Sequence, residues 1–556
     1  MIRHFKQNWH LTLAQCALTA IVYIAFPVPA GWAQTPAAAP AGTPGLPSLG
    51  DAGDMTPLAE RKLGDTIARE LYRDPSYLDD PILGEYVDGI WRALLAGARA
   101  RGELPPELDE RYAWRVLLGR DSTINAFALP GGYFGLHTGL VGAVSSRDEL
   151  ASVLAHEMSH ITQRHIPRML TQQDRHAPLM LAAMVLGAIA ASKNPQAGAA
   201  LAVGGQAAVI QQQLNFSRAM EREADRIGFG ILTQAGFAPE GFAGMFEKLQ
   251  AASRINDNGD WPYLRSHPLT TQRIADMQQR QQGAARRGAA SPVDLEALLL
   301  AARARVLGRP GVDVLRAWAG EPDQPGFDKH ASGRRAAALY AAALARAELR
   351  ELPRAQALAA QVAQAVAGDA RAARQARLLQ AELALQAGQP ARALDMLSDA
   401  SRGGQSPAAG PSQGGWAPSG GSAPRAAGER GGHDSGRAVL LLRAQAQTRT
   451  GQAGEAASAL QPWVSDHPQD GGAWQALAQA YAAQGQTLRA LRAEGEMQLA
   501  RMDTAGAVDR WRAAQDFSRR QSGGSADLIE ASIVDARLRA AQELLRQQRE
   551  DEQKRR

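Results

Sequence analysis

One short stretch limits the folds open to this 556-residue chain more than any other: residues 156–160 read HEMSH. On an α-helix, side chains four positions apart lie on one face, so His156 and His160 point the same way at a separation that suits two ligands of one metal ion. A metal ion needs further ligands, which a second segment must bring to this face. Ser146 and Glu149 have capping-box spacing before a run of apolar residues at helical intervals, so we predict that the helix starts at Ser146.

Glu157 lies beside His156 on the neighbouring stripe of this helix, close to the metal without being a ligand. A carboxylate in that place can act as a general base, taking the proton of a water molecule that attacks a carbonyl group. The alternative is a polar patch on an ordinary helix. His165 lies off the ligand face, which indicates either a surface histidine or one that supports a ligand.

The third ligand must be a histidine or a carboxylate, because the only cysteine, Cys16, lies in the apolar N-terminal stretch. Residues 215–232, NFSRAMEREADRIGFGIL, indicate a second helix that carries Glu221 and Asp225 four positions apart. We predict that Glu221 is the third ligand and that Asp225 accepts the free N–H of a ligating histidine. An exposed helix with charged pairs is the alternative. The ligand types favour one Zn²⁺ per chain.

The N-terminus has the layout of a secretory signal peptide over residues 1–33, with a basic start, an apolar run and a small-residue cleavage site after Ala33. A retained membrane anchor is the alternative. A disordered Pro/Gly/Ala-rich linker is expected at 34–54 and one compact unit at 55–285. The net charge is only +5 and the basic residues are dispersed, so we expect no nucleic-acid partner.

A helical repeat array is predicted for residues 290–556. Gly451 and Gly485 occupy equivalent positions 34 residues apart, between helical segments whose residue types match the tetratricopeptide pattern. Gly388 marks an earlier copy, and the longer interval that follows it contains a Gly/Ser/Pro-rich segment, 401–437, interpreted as a flexible insertion. A generic helical bundle is the alternative to the array.

Residues 125–140, NAFALPGGYFGLHTGL, differ from the helical patterns that fill most of the 55–285 unit. Asn125–Leu129 and Tyr133–His137 read as two short strands joined by a turn at Pro130, Gly131 and Gly132, which indicates a β-hairpin. The expected fold class is therefore mainly α, with a small β-hairpin or sheet in an α+β domain that precedes the helical array.

Three segments together, HEMSHITQRH, FSRAMEREADRIG and NAFALPGG, resemble the gluzincin peptidase family that includes the CAAX prenyl proteases and the HtpX heat-shock protease. The resemblance covers residues 55–285 by motif and the repeats by architecture. It implies a zincin-like catalytic domain and a zinc metalloendopeptidase. It also implies zinc ligands His156, His160 and Glu221, general base Glu157 and supporting residue Asp225.

Two further features gain a function from this resemblance. His267, in RSHPLTTQRIADM, corresponds to a histidine that in relatives can occupy the fourth position on the zinc and hold the enzyme latent. A capping or surface histidine is the alternative. Peptidases of this zinc class hold substrate as a strand added to a sheet edge. We expect that edge at Tyr133, Phe134, Gly135 and Leu136, with plain packing as the alternative.

The resemblance implies a periplasmic protein, peripheral to the outer membrane, that acts in assembly and quality control of outer-membrane β-barrel proteins. Its expected partners are the β-barrel assembly machinery and misfolded or stalled β-barrel clients. The apolar runs within 177–210 are shorter than a membrane span; we expect them to pack on the catalytic domain, with contact to a membrane surface as the alternative. The rival function is a non-proteolytic, repeat-based chaperone or adaptor with a structural zinc site.

Overall fold

The computed structural model describes residues 55–170, 218–254, 262–284, 293–402, 436–520 and 525–555. The expected signal peptide and linker, the apolar segment 177–210 and most of the insertion 401–437 lie outside these ranges. Residues Gly53–Arg556 form one compact unit. None of the helices in the described ranges combines the length and the hydropathy that a membrane span requires.

The N-terminal part of this unit surrounds a small sheet. Its described elements are α1 (Pro57–Arg73), α2 (Pro81–Ala100), α3 (Pro106–Arg111), β1 (Arg115–Gly119), β2 (Ala126–Leu129), β3 (Tyr133–His137), α4 (Thr138–Ala143), α5 (Arg147–Thr162), α6 (His165–Leu170), α7 (Arg218–Gln234), α8 (Glu240–Arg254), α9 (Pro262–Ser266) and α10 (Thr271–Ala284). Together with the helices that follow, they confirm a mainly α fold with a small sheet.

The predicted hairpin is confirmed as β2 and β3, which pair antiparallel with Ala126 opposite Leu136. A short 3₁₀ turn, Pro130–Gly132, joins the two strands. Gly131 and Gly132 have φ angles of 71° and 82°, a region that residues with a Cβ rarely occupy. The two glycines therefore allow the tight reversal of the chain.

The expectation that Tyr133, Phe134, Gly135 and Leu136 form a sheet edge is wrong. The strand order is β1-β3-β2, and β1 pairs in parallel with β3 from Arg115 opposite Tyr133 onward. Both sides of β3 are thus hydrogen-bonded, and the edges of the sheet are β1 and β2. The sequence patterns did not predict β1, because its short apolar sequence resembles the helical segments around it.

Helix α5 lies at the centre of the N-terminal part, and its residues from Glu149 to Thr162 are all buried. It packs against α2, α7, α8 and β2. Its N-cap is Ser146, whose Oγ accepts the N–H of Glu149 at 3.2 Å. The Glu149 carboxylate accepts the N–H of Ser145 at 2.6 Å rather than that of Ser146, so the predicted capping box closes one residue earlier than expected.

The C-terminal part is an array of helices. Its described members are α11 (Leu295–Leu307), α12 (Val312–Gly320), α13 (Ser332–Glu348), α14 (Leu352–Ala365), α15 (Ala370–Gln386), α16 (Pro390–Arg402), α17 (Arg437–Arg449), α18 (Ala453–Asp466), α19 (Gly471–Ala483), α20 (Thr487–Ala500), α21 (Thr504–Arg520) and α22 (Ser525–Arg555). Consecutive helices from α13 onward pack against each other, as they do in stacked helical hairpins.

The glycines that revealed the repeat period end helices in the same way. Gly388, Gly451 and Gly485 have φ angles of 70°, 82° and 72°. In each case the N–H of the next residue bonds to a carbonyl five residues back in the chain, with donor–acceptor pairs Gln389–Ala384, Gln452–Gln447 and Gln486–Tyr481. This left-handed cap suits glycine and satisfies the last carbonyls of the helix. The 34-residue spacing therefore has a structural cause.

The N-terminal part and the array share one hydrophobic core. Leu378 and Leu385 from α15 and Val439 from α17 belong to the same buried cluster as Trp91 from α2. A charged connection accompanies this core: Arg303 on α11, 1% exposed, donates to the carboxylates of Asp80 and Glu382. One hydrophobic cluster therefore extends across the expected boundary near residue 285, and the domain division itself stays a prediction.

We expect Arg303→Ala to lower the free energy of unfolding by about 3–5 kcal/mol, because two largely buried carboxylates lose their common partner. Urea unfolding followed by circular dichroism measures the change. The control is Arg316→Ala, which removes an exposed partner of Asp313 and should change stability by less than about 0.5 kcal/mol. Equal stability of the two variants would contradict the role given to Arg303.

Candidate metal centre

Four buried side chains meet where α5, α7 and the loop between α9 and α10 come together. His156 and His160 extend from α5, Glu221 from the first turn of α7, and His267 from the loop. Their ligand atoms all lie within 4.8 Å of one another, and none of the four residues is more than 2% exposed. Side chains that sequence spacing assigned to two separate helices are thus brought to one point.

The donor atoms fit a zinc ion. The Nε2 atoms of His156 and His160 are 3.1 Å apart, and each lies 3.5 Å from an oxygen of Glu221. A tetrahedral zinc site with bonds of 2.0–2.1 Å requires neighbouring donors about 3.3 Å apart. His267 Nδ1 lies 3.1 Å from Glu221 Oε1 and 3.4 Å from His156 Nε2, where a fourth ligand belongs. Because His267 is buried, it is not the surface histidine considered as an alternative.

A glycine allows helices α5 and α7 to approach closely. A Cβ atom at Gly228 on α7 would lie 3.0 Å from the carbonyl oxygen of Ala155 and 3.1 Å from the Cα of His156 on α5. A side chain at that position would therefore push α7 away and draw Glu221 back from the histidines.

Asp225 is one turn after Glu221 and faces the other nitrogen of His156. Its Oδ1 lies 3.0 Å from Nδ1 of His156, so a proton on Nδ1 leaves Nε2 free to bind metal. Arg273 in turn holds Asp225 through bonds of 2.7 and 2.8 Å to its two oxygens. The arrangement agrees with the supporting role predicted for Asp225, which itself stays a prediction.

Arg273 is a site residue that the sequence patterns do not reveal. It also makes a 2.8 Å ion pair with Glu221 and a 2.9 Å bond to the carbonyl of Pro268, so it joins α7 to the loop of His267. One feature of the sequence could have pointed to Arg273. Arg273 lies in the first turn of α10, where the helix dipole disfavours a positive charge, and such a residue needs acidic partners elsewhere.

His165 contacts the second histidine of the cluster, His160. It is fully buried, its Nδ1 lies 2.9 Å from Nδ1 of His160, and its Nε2 lies 3.1 Å from a carboxylate oxygen of Glu223. Of the two alternatives for His165, the surface position is therefore wrong. The contact orients the His160 ring with Nε2 towards the cluster.

Glu157 is fully buried beside the four clustered side chains. Its Oε2 accepts the backbone N–H of Ala128 on β2 at 3.1 Å, and its Oε1 lies 3.3 Å from Nε2 of His267. The carboxylate thus lies between the sheet and the histidine cluster. A base in this position can reach a water molecule bound next to the cluster.

The electrostatics of the cluster favour a cation. Burial opposes a charge on His156, but its bonds to Asp225 and Glu221 outweigh burial and raise its pKa to about 9. Burial and the neighbouring His156 lower the pKa of His160 well below its usual value. Burial would raise the pKa of Glu221, yet His267 and His156 hold it well below its usual value. With Arg273 paired to both carboxylates, one negative charge remains, which a protonated His156 or a metal ion can balance.

A buried HExxH helix that meets a glutamate from a second helix defines a metallopeptidase type of centre. The comparisons agree: residues 101–281 match the model of peptidase family M48. This part of the chain is therefore similar to the peptidases of family M48.

Curated relatives extend the match. The chain is 36% identical over 237 residues to the "Putative beta-barrel assembly-enhancing protease" of Vibrio cholerae, covering 42% of this chain and 47% of the relative. It is 33% identical over 270 residues to the "Beta-barrel assembly-enhancing protease" of Yersinia pestis, covering 48% and 53%. It is 33% identical over 159 residues to the "Mitochondrial metalloendopeptidase OMA1" of Arabidopsis thaliana, covering 29% and 30%. The chain spans about half the length of the first two relatives.

Proposed function

We propose that this protein is a zinc-dependent endopeptidase that cleaves other proteins. The observation that carries the proposal is the cluster of His156, His160 and Glu221, with donor atoms 3.1–3.5 Å apart and Glu157 beside them. These three residues would hold one zinc ion per chain. When bound, zinc supplies Lewis acidity that polarises a substrate carbonyl and an attacking water molecule.

The remaining steps belong to the protein's own side chains. Glu157 takes a proton from the attacking water and passes it to the amine that leaves when the peptide bond breaks. Asp225 and His165 each hold one histidine with Nε2 directed inward. Arg273 keeps Glu221 and Asp225 in place from one side of the cluster.

The sheet edge nearest the cluster is β2, and we propose that substrate binds there. Ala128 directs its N–H towards Glu157 and thus away from β3. Within the described ranges, no strand pairs with this side of β2. A peptide added to β2 would run past Glu157, and its main-chain hydrogen bonds would hold it without regard to sequence.

His267 is proposed as a latch that occupies the fourth position and blocks the attacking water. Its ring stacks on Tyr263 with centroids 4.7 Å apart, and Arg273 bonds to the next residue, Pro268. These two contacts would hold the loop in the blocking position. Release of His267 would open the site for substrate.

We expect His267→Ala to raise basal cleavage of casein about tenfold or more. Without the imidazole, the blocked state cannot form, and all molecules are in the open state. Initial rates for wild type and variant, at equal zinc content, measure the effect. The control is His330→Ala, a histidine between α12 and α13, with an unchanged rate expected. A folded, zinc-loaded His267→Ala with the wild-type rate or a lower one would eliminate the latch.

The relatives' names and the repeat period support a cellular setting. We propose that residues 1–33 direct the protein to the periplasm and that the C-terminal array consists of tetratricopeptide repeats. We further propose that the array binds the outer-membrane β-barrel assembly machinery, and that misfolded or stalled β-barrels are the substrates. The protein would then act in assembly and quality control of outer-membrane proteins.

Removal of metal tests the proposed activity. His267→Ala protein is treated with 1,10-phenanthroline, dialysed and incubated with casein or an unfolded outer-membrane β-barrel protein. We expect cleavage to stop and to return on addition of one equivalent of zinc. Proteolysis that continues in the metal-free protein would exclude the proposed mechanism.

A further inference from the structure

The outward side of β2, which faces away from β3, is covered by the protein itself. Ala128 directs its N–H to Glu157, and the carbonyl of Ile124, just before the strand, accepts the N–H of Tyr263 at 3.4 Å. Between these two contacts lies Ala126, which is fully buried. A substrate strand can therefore pair with this side of β2 only after something else has left it.

Ile124 and Ala128 lie on the same side of one extended segment. The carbonyl of Asn125 accepts the N–H of His137 at 3.1 Å, so Asn125 faces β3. Because main-chain groups alternate along an antiparallel pair, Ile124 and Ala128 face the opposite way. A peptide that follows this side of the segment needs the carbonyl of Ile124, which Tyr263 occupies.

Tyr263 and His267 form one structural unit. The carbonyl of Tyr263 accepts the N–H of His267 at 2.9 Å, and the two aromatic rings stack on each other. Tyr263 is only 4% exposed and belongs to the main hydrophobic cluster, so its ring anchors the unit. We call residues 263–267 the latch segment. Movement of Tyr263 away from Ile124 would carry His267 with it.

The contact between Tyr263 and Ile124 is suited to exchange. At 3.4 Å it is longer than the usual N–H···O bond of about 2.7–3.2 Å. An incoming strand can replace it with a better-formed bond to the same carbonyl. Only main-chain groups take part, so the exchange does not depend on the sequence of the substrate.

We infer that Tyr263 couples the latch to the arrival of substrate. The inference rests on the proposed function and adds how the site opens. The latch segment blocks the site twice, because His267 lies at the fourth position of the metal and Tyr263 lies on the substrate edge. A substrate strand that pairs with β2 as far as Ile124 displaces Tyr263, and His267 leaves with it.

This coupling defines the class of substrate. From Ala128 to Ile124 the edge spans four residues, about 13 Å of extended chain. A segment must be unfolded over at least this length to displace Tyr263, whereas a shorter or folded segment leaves the latch closed. Binding and latching exclude each other, so each weakens the other by the same factor.

Tyr263→Ala separates this role from a structural one. The variant keeps the proposed metal ligands and His267 but loses the ring that anchors the latch segment. We expect basal cleavage of casein to rise about fivefold or more, whereas loss of a side chain that merely supports the fold would lower the rate. In Tyr263→Ala/His267→Ala, the gain should fall below the product of the two single gains, because both changes act on one latch.

The control for this variant is Phe327→Ala, which truncates a half-buried aromatic side chain of the helical array and should leave the rate unchanged. Circular dichroism and zinc content establish that each variant is folded and loaded. A folded, zinc-loaded Tyr263→Ala with the wild-type rate or a lower one would overturn the role given to Tyr263.

Hydrogen exchange, followed by mass spectrometry, measures the displacement with Tyr263 in place. The full chain with Glu157→Gln, loaded with zinc, is saturated with a peptide of alternating threonine and valine about ten residues long. A counterpart of about three residues is too short to reach from Ala128 to Ile124. We expect the long peptide to slow exchange in residues 122–128 and to speed it about tenfold or more in residues 263–267. The short peptide should do neither.

Slower exchange in 122–128 with unchanged exchange in 263–267 would overturn the inference, because substrate and latch would then bind together. Zinc-dependent cleavage by His267→Ala would still stand in that case, so this failure is distinct from failure of the proposed function. Unchanged exchange in 122–128 with the long peptide bound would overturn both the inference and the proposed substrate edge on β2.

Discussion

Glu157→Gln is expected to lower kcat/KM for casein by about 10³-fold while zinc stays bound. Glutamine has the shape of glutamate, and its amide oxygen can still accept the N–H of Ala128, which bonds to Oε2 in the wild type. The variant loses only the ability to take a proton. Cleavage rates, measured with His267→Ala in both proteins to open the site, and zinc content by mass spectrometry give the two readouts.

The control for this variant is Glu107→Gln, which changes an exposed glutamate on α3 and should leave the rate unchanged. Equal cleavage by the Glu157 variant and its parent would remove the general base from the mechanism. No cleavage by either protein would favour the adaptor with a structural zinc site, because such a site gains nothing from a buried carboxylate beside an open position.

Glu221→Ala should lose both the metal and the activity. The variant leaves two histidines to hold zinc, and it removes an ion-pair partner of the buried Arg273. We expect zinc affinity to fall by more than about 100-fold, the upper range for loss of a residue that merely supports a ligand. Competition with a fluorescent zinc chelator measures the affinity, and circular dichroism establishes that the protein is folded.

Glu247→Ala serves as the matched control, since Glu247 is an exposed glutamate on α8, and it should bind zinc like the wild type. If the folded Glu221 variant bound zinc with wild-type affinity, Glu221 would not be a ligand, and the peptidase mechanism would lose its third donor.

The spacing of residues along α5 and α7 was sufficient to predict which side chains of each helix share a face. A helix fixes the relative directions of His156 and His160, and likewise those of Glu221 and Asp225. What spacing does not contain is the approach of the two helices, which depends on the close contact at Gly228. The family resemblance supplied that link.

The order of strands was beyond the sequence patterns. The turn at Gly131 and Gly132 identifies a hairpin, but a hairpin does not state what pairs with its outer sides. β1, which precedes the hairpin in the chain, pairs in parallel with β3 and makes β2 the edge next to Glu157. Such long-range pairing depends on tertiary packing.

The contact between the two parts of the chain was also unpredictable. The repeat period describes each helical hairpin and its neighbour, whereas Arg303 and Leu378 pack against residues far from them in the chain. The contacts of Arg273 were unpredictable for the same reason, because its partners Glu221 and Asp225 lie on another helix. Patterns within one helix do not report partners on another.

Crystals of the zinc-loaded protein, with anomalous diffraction recorded on both sides of the zinc absorption edge, provide the decisive test of a zinc ion held by two helices. We expect one peak per chain, about 2.0–2.1 Å from Nε2 of His156, from Nε2 of His160 and from a carboxylate oxygen of Glu221. A peak elsewhere, or a Glu221 carboxylate turned away from the two imidazoles, would contradict the proposed metal centre and the peptidase function built on it.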